Sequence, residues 1–227
     1  MSGGTTPEER VVDRFSATKT PGALPAGWQE LTFKKIQNHT RYSVVQEGDN
    51  AVLKAESDRS ASGLLKEVSA SAKTYPVLAW RWKVERVLKT ADAQKKSGDD
   101  FAARVYVAFK YDPESAGAWE RAKYGAAKKL YGKYPPKGAL NYVWDNRLPA
   151  GSRFNNPYSD RAKMIVVRSG PEKAGQWVSE EADVYSDYRA LFGEEPPEIA
   201  FIAVMCDTDN TGESATAYFD DIVLKAR

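Results

Sequence analysis

The segment that decides the fold reads Val-Leu-Ala-Trp-Arg-Trp-Lys-Val, residues 77–84. Large apolar side chains stand at every second position from Leu78 to Val84, and small or basic side chains stand between them. Because successive side chains of a β-strand point to opposite faces of the sheet, a period of two predicts a strand with one buried face. Trp80 and Trp82 fall on the apolar face, so we assign both mainly to the core.

Similar segments continue along the chain and are separated by turn-forming residues. The strand candidates are residues 29–33, 42–46, 51–56, 63–68, 103–109, 140–144, 162–168, 176–185, 199–207 and 217–224. One clear helix is predicted over residues 118–131, before Pro135-Pro136, and a short one over 187–192, ending at Gly193. Many strands with one clear helix predict an all-β fold, a jelly-roll-like antiparallel β-sandwich with one inserted helix packed outside it.

Composition indicates an ordinary globular protein. The chain has 227 residues, of which 42% are hydrophobic and 28% charged, and one sandwich domain over residues 11–227 accounts for this length. Residues 1–10 are polar and contain glycine, so we predict a flexible N-terminus. The net charge is +2 and no basic run is present, so nucleic acid is not an expected partner.

The rare residue types exclude several kinds of site. Cys206 is the only cysteine, which excludes an intrachain disulfide and a cysteine zinc site. His39 is the only histidine, and it lies in a polar turn, which argues against a Ser-His-Asp or Cys-His catalytic centre. No apolar run is long enough to span a bilayer. The small polar start suits either a cytoplasmic protein or a mature exported one.

Two acidic segments lie at predicted strand ends, where a rigid scaffold readily presents functional groups. Asp99 and Asp100 precede a strand whose outward face begins with Arg104. Carboxylates beside a guanidinium can orient a polyhydroxylated ligand, although an ion pair at a strand end explains them equally well. If residues 105–109 and 199–207 form neighbouring antiparallel strands, this segment meets the second one.

The second acidic segment reads Asp207-Thr208-Asp209-Asn210-Thr211. Alternating Asp and Asn in a turn can present oxygen ligands to Ca²⁺, but the EF-hand spacing is absent. An Asx-turn that closes a hairpin is the simpler interpretation. We include Asp207, Asp209, Asn210 and Thr211 in the candidate ligand site.

Aromatic residues supply candidate platforms for sugar rings, because an aromatic face stacks well on an apolar sugar face. Trp177 shares its predicted strand face with polar residues, which is unusual for a core side chain. Tyr142 and Trp144 also share one face and are followed by polar residues. We predict these three side chains to be exposed and to bind the ligand.

The last predicted strand contains Asp220 and Asp221 between apolar residues. Burial of a carboxylate costs several kcal/mol unless a cation or hydrogen-bond donors compensate. The doublet is therefore a candidate cation site.

Seven short segments, taken in order, resemble a bacterial family catalogued as domain of unknown function 3047. The likeness extends from about residue 11 to residue 224 and rests on Leu24-Pro25-Ala26-Gly27-Trp28, Ser60-Ala61-Ser62-Gly63-Leu64, Leu78-Ala79-Trp80-Arg81-Trp82, Asp99-Asp100-Phe101 with Arg104-Val105-Tyr106, Tyr142-Val143-Trp144, Asp187-Tyr188-Arg189 with Phe192-Gly193, and Asp207-Thr208-Asp209-Asn210-Thr211. The resemblance implies an exported bacterial protein, periplasmic or secreted, and it supplies no activity and no functional residues.

The closing Phe219-Asp220-Asp221-Ile222 is also similar to the last strand of carbohydrate-binding jelly rolls. In those proteins an Asp of this strand often ligates a structural Ca²⁺ with help from an N-terminal strand. The likeness implies a structural Ca²⁺ held by Asp220, Asp221 and Asp13.

Three functions remain open at this stage. The first is a non-catalytic module that binds carbohydrate or another polar small ligand. The second is a glycan-active enzyme, hydrolase or lyase, in which Asp99 or Asp100 pairs with Asp207 or Asp209. The third is an envelope scaffolding protein whose exposed aromatics contact another protein. Two carboxyl groups about 5 to 10 Å apart, on either side of a sugar-sized space, would favour the enzyme.

Overall fold

Two β-sheets face each other in the computed structural model, which describes residues 9–16, 22–131 and 134–227. The strands are β1 (Glu9–Asp13), β2 (Trp28–Leu31), β3 (Arg41–Glu47), β4 (Asn50–Asp58), β5 (Ala61–Ala70), β6 (Val77–Val84), β7 (Ala103–Phe109), β8 (Gly138–Asp145), β9 (Arg153–Asn156), β10 (Ser159–Ser169), β11 (Val178–Asp183), β12 (Ile199–Asp207) and β13 (Ser214–Lys225). The helices are α1 (Ala118–Tyr131) and α2 (Val184–Phe192), with one 3-10 turn at Lys96–Gly98.

The six-stranded sheet has the order β11-β6-β13-β4-β3, and β1 also pairs with β13. The seven-stranded sheet has the order β2-β5-β12-β7-β8-β10-β9. All pairs are antiparallel except β8 with β10, which run parallel. Within the described residues, no helix is long and apolar enough to cross a membrane.

The main core lies between the two sheets and is rich in aromatic side chains. Trp80 and Trp82 of β6 contact Tyr142 and Trp144 of β8, with ring centroids 5.5 and 5.8 Å apart. Burial of each large apolar side chain contributes about 1.5 to 3 kcal/mol. These contacts join the six-stranded sheet to the seven-stranded sheet, and the assignment of both tryptophans to the core is confirmed.

A second, smaller apolar cluster lies on the outer face of the seven-stranded sheet. There Phe101 and Ala93, from the connection between β6 and β7, pack on Val143, Met164 and Val166. This connection therefore folds over one end of the outer face and leaves the rest of that face for other contacts.

The sequence predicted this architecture in most elements. The all-β sandwich with mainly antiparallel sheets is confirmed, and the bounds of β6, β7, β12 and α1 agree with the prediction. The strand predicted over residues 176–185 is wrong at its end, because Asp183 caps α2 by accepting a hydrogen bond from the backbone N–H of Ser186 at 2.9 Å. Strand β9 was not predicted. Glu9 and Arg10, which were predicted to be flexible, belong to β1, and residues 1–8 of the same predicted flexible segment lie outside the described residues.

Candidate functional site

The two acidic segments meet because β7 and β12 are antiparallel neighbours. Arg104, near the start of β7, pairs with Met205, near the end of β12. The chain before β7 and the turn after β12 therefore lie side by side, as the sequence predicted for this strand arrangement. We call Asp99, Asp100, Asp207 and Asp209 the acidic cluster.

Arg104 is the cation at the centre of the acidic cluster. Its Nε donates a hydrogen bond to Asp207 Oδ1 at 2.8 Å, and its Nη2 donates to Asp207 Oδ2. Nη2 also donates to the backbone carbonyl of Asp99 at 3.1 Å, and Nη1 lies 3.7 Å from Asp99 Oδ1. Arg104 is 3% exposed and Asp207 is 1% exposed, so this is a buried, bidentate ion pair. The structure shows the ion pair, and a role of Arg104 in orienting a ligand stays a prediction.

Asp100 holds the turn that follows β12. Its two carboxylate oxygens accept hydrogen bonds from the backbone N–H groups of Asn210 at 3.3 Å and Thr211 at 2.6 Å. Carboxylate oxygens of Asp100, Asp207 and Asp209 lie within 4.8 Å of one another. Thr211 therefore contacts the acidic cluster through its backbone N–H and does not line the cleft, whereas Asn210 also lines it.

The acidic cluster contains more negative than positive charge. Burial raises the pKa of Asp99 and of Asp209, and the charge of Asp100 raises both further. Burial also raises the pKa of Asp207, against the opposing effect of Arg104. With four carboxylates close to one guanidinium, burial and mutual repulsion thus favour proton uptake by Asp99, Asp207 and Asp209.

A cleft of about 400 Å³ opens beside the acidic cluster on the outer face of the seven-stranded sheet. Its floor is formed by outward side chains of the central strands, and its walls by the connection after β2 and the turn between β9 and β10. The lining residues are Phe33, Lys35, Ile36, Ala61, Asp99, Arg104, Tyr106, Asn141, Asn156, Tyr158, Ala162, Met205, Asp207, Asp209 and Asn210.

Asn141 lies in the floor of the cleft and is 1% exposed. Neither its amide nitrogen nor its amide oxygen has a hydrogen-bond partner among the described residues. Its neighbours across the sheet are Tyr106 on β7 and Met164 on β10. Most buried polar groups in proteins are hydrogen-bonded, so a buried amide with a free donor and a free acceptor suggests that a polar ligand completes it.

The rim of the cleft combines an aromatic ring with fixed polar groups. Tyr158 is 59% exposed, and its hydroxyl donates to the carbonyl of Lys96 or to Asn210 Oδ1, both at 2.8 Å. Asn156 donates to Asp99 Oδ2 at 2.7 Å. These bonds connect the β9–β10 turn to the acidic cluster, so the rim and the floor form one polar unit.

The prediction that Tyr142 and Trp144 are exposed is wrong. They are 0% and 1% exposed and point into the main core, where Tyr142 donates to Asp187 and Trp144 to the carbonyl of Gly170. The face opposite to them, with Asn141 and Val143, is the outward one. The two largest apolar side chains of β8 take the space between the sheets because burial is most complete there.

Trp177 is not brought to the cleft. It precedes β11 at the edge of the six-stranded sheet, and its indole nitrogen donates to Glu47 at 3.0 Å. The guanidinium of Arg81 and the ammonium of Lys83 lie 4.8 and 5.6 Å from its ring centroid. The ring is half-buried and already has cationic partners of the protein itself.

Each carboxylate of the predicted calcium site has partners within the protein. Asp220 is 0% exposed and accepts hydrogen bonds from Arg81 at 2.5 Å and Asn50 at 2.6 Å. Asp221 lies 2.9 Å from Arg81, and Asp13 accepts from Lys66 at 2.7 Å and from the Trp28 indole at 2.8 Å. These groups supply part of the compensation that the sequence analysis required, because Asp220 Oδ1 is buried with no hydrogen-bond partner among the described residues. The calcium ion itself stays a prediction.

Sequence reasoning missed Asn141, Asn156 and Tyr158 as site residues. Asn141 carried a usable signal, because it is a polar side chain within the apolar run 140–144. Asn156 and Tyr158 belong to a short turn, and only the pairing of β9 with β10 brings them to the cleft.

Comparison with known proteins gives one family match and several similar folds. The model of a family described as protein of unknown function (DUF3047) matches residues 26–223. No curated protein matches the sequence. A solved structure of the family 11 carbohydrate-binding module of the cellulosomal cellulase Lic26A-Cel5E of Clostridium thermocellum is 11% identical, with a TM-score of 0.48, over 98% of this chain and 97% of that one. CBM29_1, a family 29 carbohydrate-binding module from Piromyces equi, is 13% identical, with a TM-score of 0.38, over 98% and 93%.

Proposed function

The chain belongs to the DUF3047 family, and we propose that it is a carbohydrate-binding protein that holds its ligand in the outer-face cleft without catalysing a reaction. The observation that carries the proposal is Asn141, a buried amide in the floor of that cleft with both polar atoms unpaired. A side-chain amide offers one donor group and one acceptor, which neighbouring hydroxyls of a sugar can match.

The rest of the cleft fits the same class of ligand. Tyr158 offers an exposed aromatic ring at the rim, and Phe33 is 37% exposed on the wall that follows β2. Aromatic side chains with a few convergent polar groups are typical of sites that bind sugars through their apolar faces and their hydroxyls. Asp209, half-buried beside the cleft, adds a further acceptor.

The acidic cluster supports binding better than glycoside hydrolysis. Hydrolysis needs two carboxyl groups that face the sugar from opposite sides. Asp100 and Asp207 are each 1% exposed, and the oxygens of each already accept hydrogen bonds, from backbone N–H groups and from Arg104 respectively. Asp209 is left as the most accessible carboxylate of the acidic cluster.

We further propose that the protein is exported by a bacterium and meets its ligand in the periplasm or outside the cell. Family resemblance alone supports this location. Fractionation of cells that produce the tagged full-length protein tests it, and recovery only in the cytoplasm would contradict it.

The test of binding is a glycan array with the purified protein, with and without calcium, followed by calorimetry on each glycan that binds. Asn141→Leu should weaken binding by roughly 10- to 100-fold, the range that corresponds to about 1.4 to 2.7 kcal/mol. Asn155→Leu is the matched control, because Asn155 is exposed and lies outside the cleft. It should leave the affinity unchanged.

A second pair of variants locates the aromatic contact. Tyr158→Ala should weaken glycan binding, whereas Trp177→Ala, on the other sheet, should not. If no glycan binds, the proposal falls. Protein partners captured through Phe33 and Tyr158 would then favour the scaffolding function, and glycan cleavage lost in Asp209→Asn would favour the enzyme.

A further inference from the structure

A second cavity of about 380 Å³ adjoins the cleft on the same outer face of the seven-stranded sheet. It lies between that sheet and α1, and its lining includes Lys123 and Tyr124 of α1, Pro136, Ala139 and Arg161. Ala162 lines both cavities. The two cavities therefore meet at this residue.

A row of three alanines crosses the sheet at the junction, and two of them, Ala139 and Ala162, line the floor there. Ala108 of β7 pairs with Ala139 of β8, and Ala139 pairs with Ala162 of β10. Their side chains point to the outer face, as does Asn141, two positions along β8 from Ala139. Because a methyl group extends only a short distance from the sheet, no bulky side chain of this row separates the two cavities.

The combined floor is longer than a single sugar ring. It runs along the strands from Asp207 at one end of β12 to the level of the alanine row, which aligns with Phe201 of the same strand. Asp207 and Phe201 are separated by about 20 Å at roughly 3.3 Å per residue. A ligand confined to Asn141 and Tyr158 uses only the first part of this length.

The second cavity offers polar groups suited to hydroxyl-bearing units. Lys123, Asp160 and Arg161 are found at its rim, and the side chain of Arg161 is 38% exposed. The hydroxyl of Tyr124 donates to the carbonyl of Lys137 at 3.1 Å, and its ring stacks on Tyr111 with centroids 3.8 Å apart. These contacts hold α1 beside the sheet, so this wall of the cavity is built into the fold.

We propose that the two cavities form one continuous groove for a linear oligosaccharide chain, with some sugar units bound at Asn141 and further units bound across the alanine row beside Lys123. The inference rests on the proposed function and deepens it, because it names a chain of linked sugars as the ligand. Each additional unit that reaches the second cavity adds contacts without new loss of translational freedom, so affinity should increase with chain length.

The experiment compares the dimer and the hexamer of the same linear glycan by calorimetry. The candidate probes are oligosaccharides derived from cellulose, xylan, laminarin and polygalacturonic acid. The series that binds on the glycan array is the one used for calorimetry. The wild-type protein should bind the hexamer at least 10-fold more tightly than the dimer. Ala162→Phe, which fills the junction, should remove this gain, so that the variant binds the dimer and the hexamer with similar affinities.

Two further variants keep the result interpretable if Ala162→Phe folds poorly. Lys123→Ala changes an exposed side chain of the second cavity and should weaken hexamer binding about threefold or more while leaving dimer binding unchanged. Ala190→Phe makes the same change as Ala162→Phe on the exposed face of α2 and should affect neither. Equal wild-type affinities for dimer and hexamer would overturn the groove and leave carbohydrate binding intact. Absence of binding to every series would overturn the proposed function and the groove with it.

Discussion

Replacement of Asn141 by Leu should make the free protein more stable, although it removes the group on which ligand binding depends. The buried amide has no hydrogen-bond partner among the described residues and is 1% exposed. An unpaired buried amide costs about 1 to 3 kcal/mol in proteins. Leu has a similar volume, and its neighbours Tyr106 and Met164 offer apolar contacts. The free energy of unfolding should therefore rise by about 1 to 3 kcal/mol.

The assay is urea unfolding followed by circular dichroism, together with thermal unfolding. For a chain of this length each kcal/mol shifts the melting temperature by about 2 to 4 °C, so the variant should melt about 2 to 12 °C higher. Asn156→Leu is the control with the opposite sign, because it removes the donor to Asp99 at 2.7 Å and should cost about 1.5 to 3 kcal/mol. A loss of 1 kcal/mol or more in Asn141→Leu would refute the reasoning, since it would mean that the amide already has partners in the free protein.

Four further predictions follow from the buried groups. Asp207→Asn at pH 7 should lower the free energy of unfolding by about 3 to 5 kcal/mol, because it breaks the buried ion pair with Arg104. The control is Asp58→Asn, in an ion pair whose side chains are about 70% exposed, which should cost less than about 1 kcal/mol in the same urea titration. The pKa values of Asp99 and Asp209 are raised, so these two carboxyl groups bind more protons in the folded protein than in the unfolded chain. Their contribution to the free energy of unfolding should therefore fall as the pH rises from 5 to 8, and Asp209→Asn should reduce this fall in a comparison of melting temperatures. Trp144→Ala should cost about 3 to 5 kcal/mol, as expected for a core side chain, and a melting temperature close to the wild-type value would contradict its burial. If Ca²⁺ binds at Asp220, the melting temperature should be higher with added Ca²⁺ than with a chelator, and Asp220→Asn should abolish this difference. Equal melting temperatures would mean that the hydrogen bonds from Arg81 and Asn50 are what offsets the burial of the Asp220 carboxylate.

Local pattern in the sequence was enough to predict the fold class. The alternation over residues 77–84 and 103–109 depends only on the backbone geometry of a strand, so those elements have the predicted bounds. The meeting of the two acidic segments around Arg104 also followed from the sequence, once their strands were taken as antiparallel neighbours. The first inference uses only residues close together in the chain, whereas the second also needed the assumption that two strands distant in the chain are neighbours.

Only the tertiary structure decided which face of strand β8 points into the core and which points outward. In the run 140–144 the sequence shows that Tyr142 and Trp144 share one face and Asn141 lies on the other. Both faces of β8 carry apolar side chains, because a second apolar cluster that includes Val143 lies on the outer face. Alternation alone therefore cannot tell which face is inside.

The cleft itself could not be predicted from the sequence either. Its rim at Tyr158 depends on the pairing of β9 with β10, and its floor depends on four strands that are distant in the chain. The sequence determined which side chains each strand could present and which of them could share a face. The packing of the two sheets decided that the largest aromatics fill the core, because that position buries the most apolar surface, and it left Asn141 unpaired in the floor of the cleft.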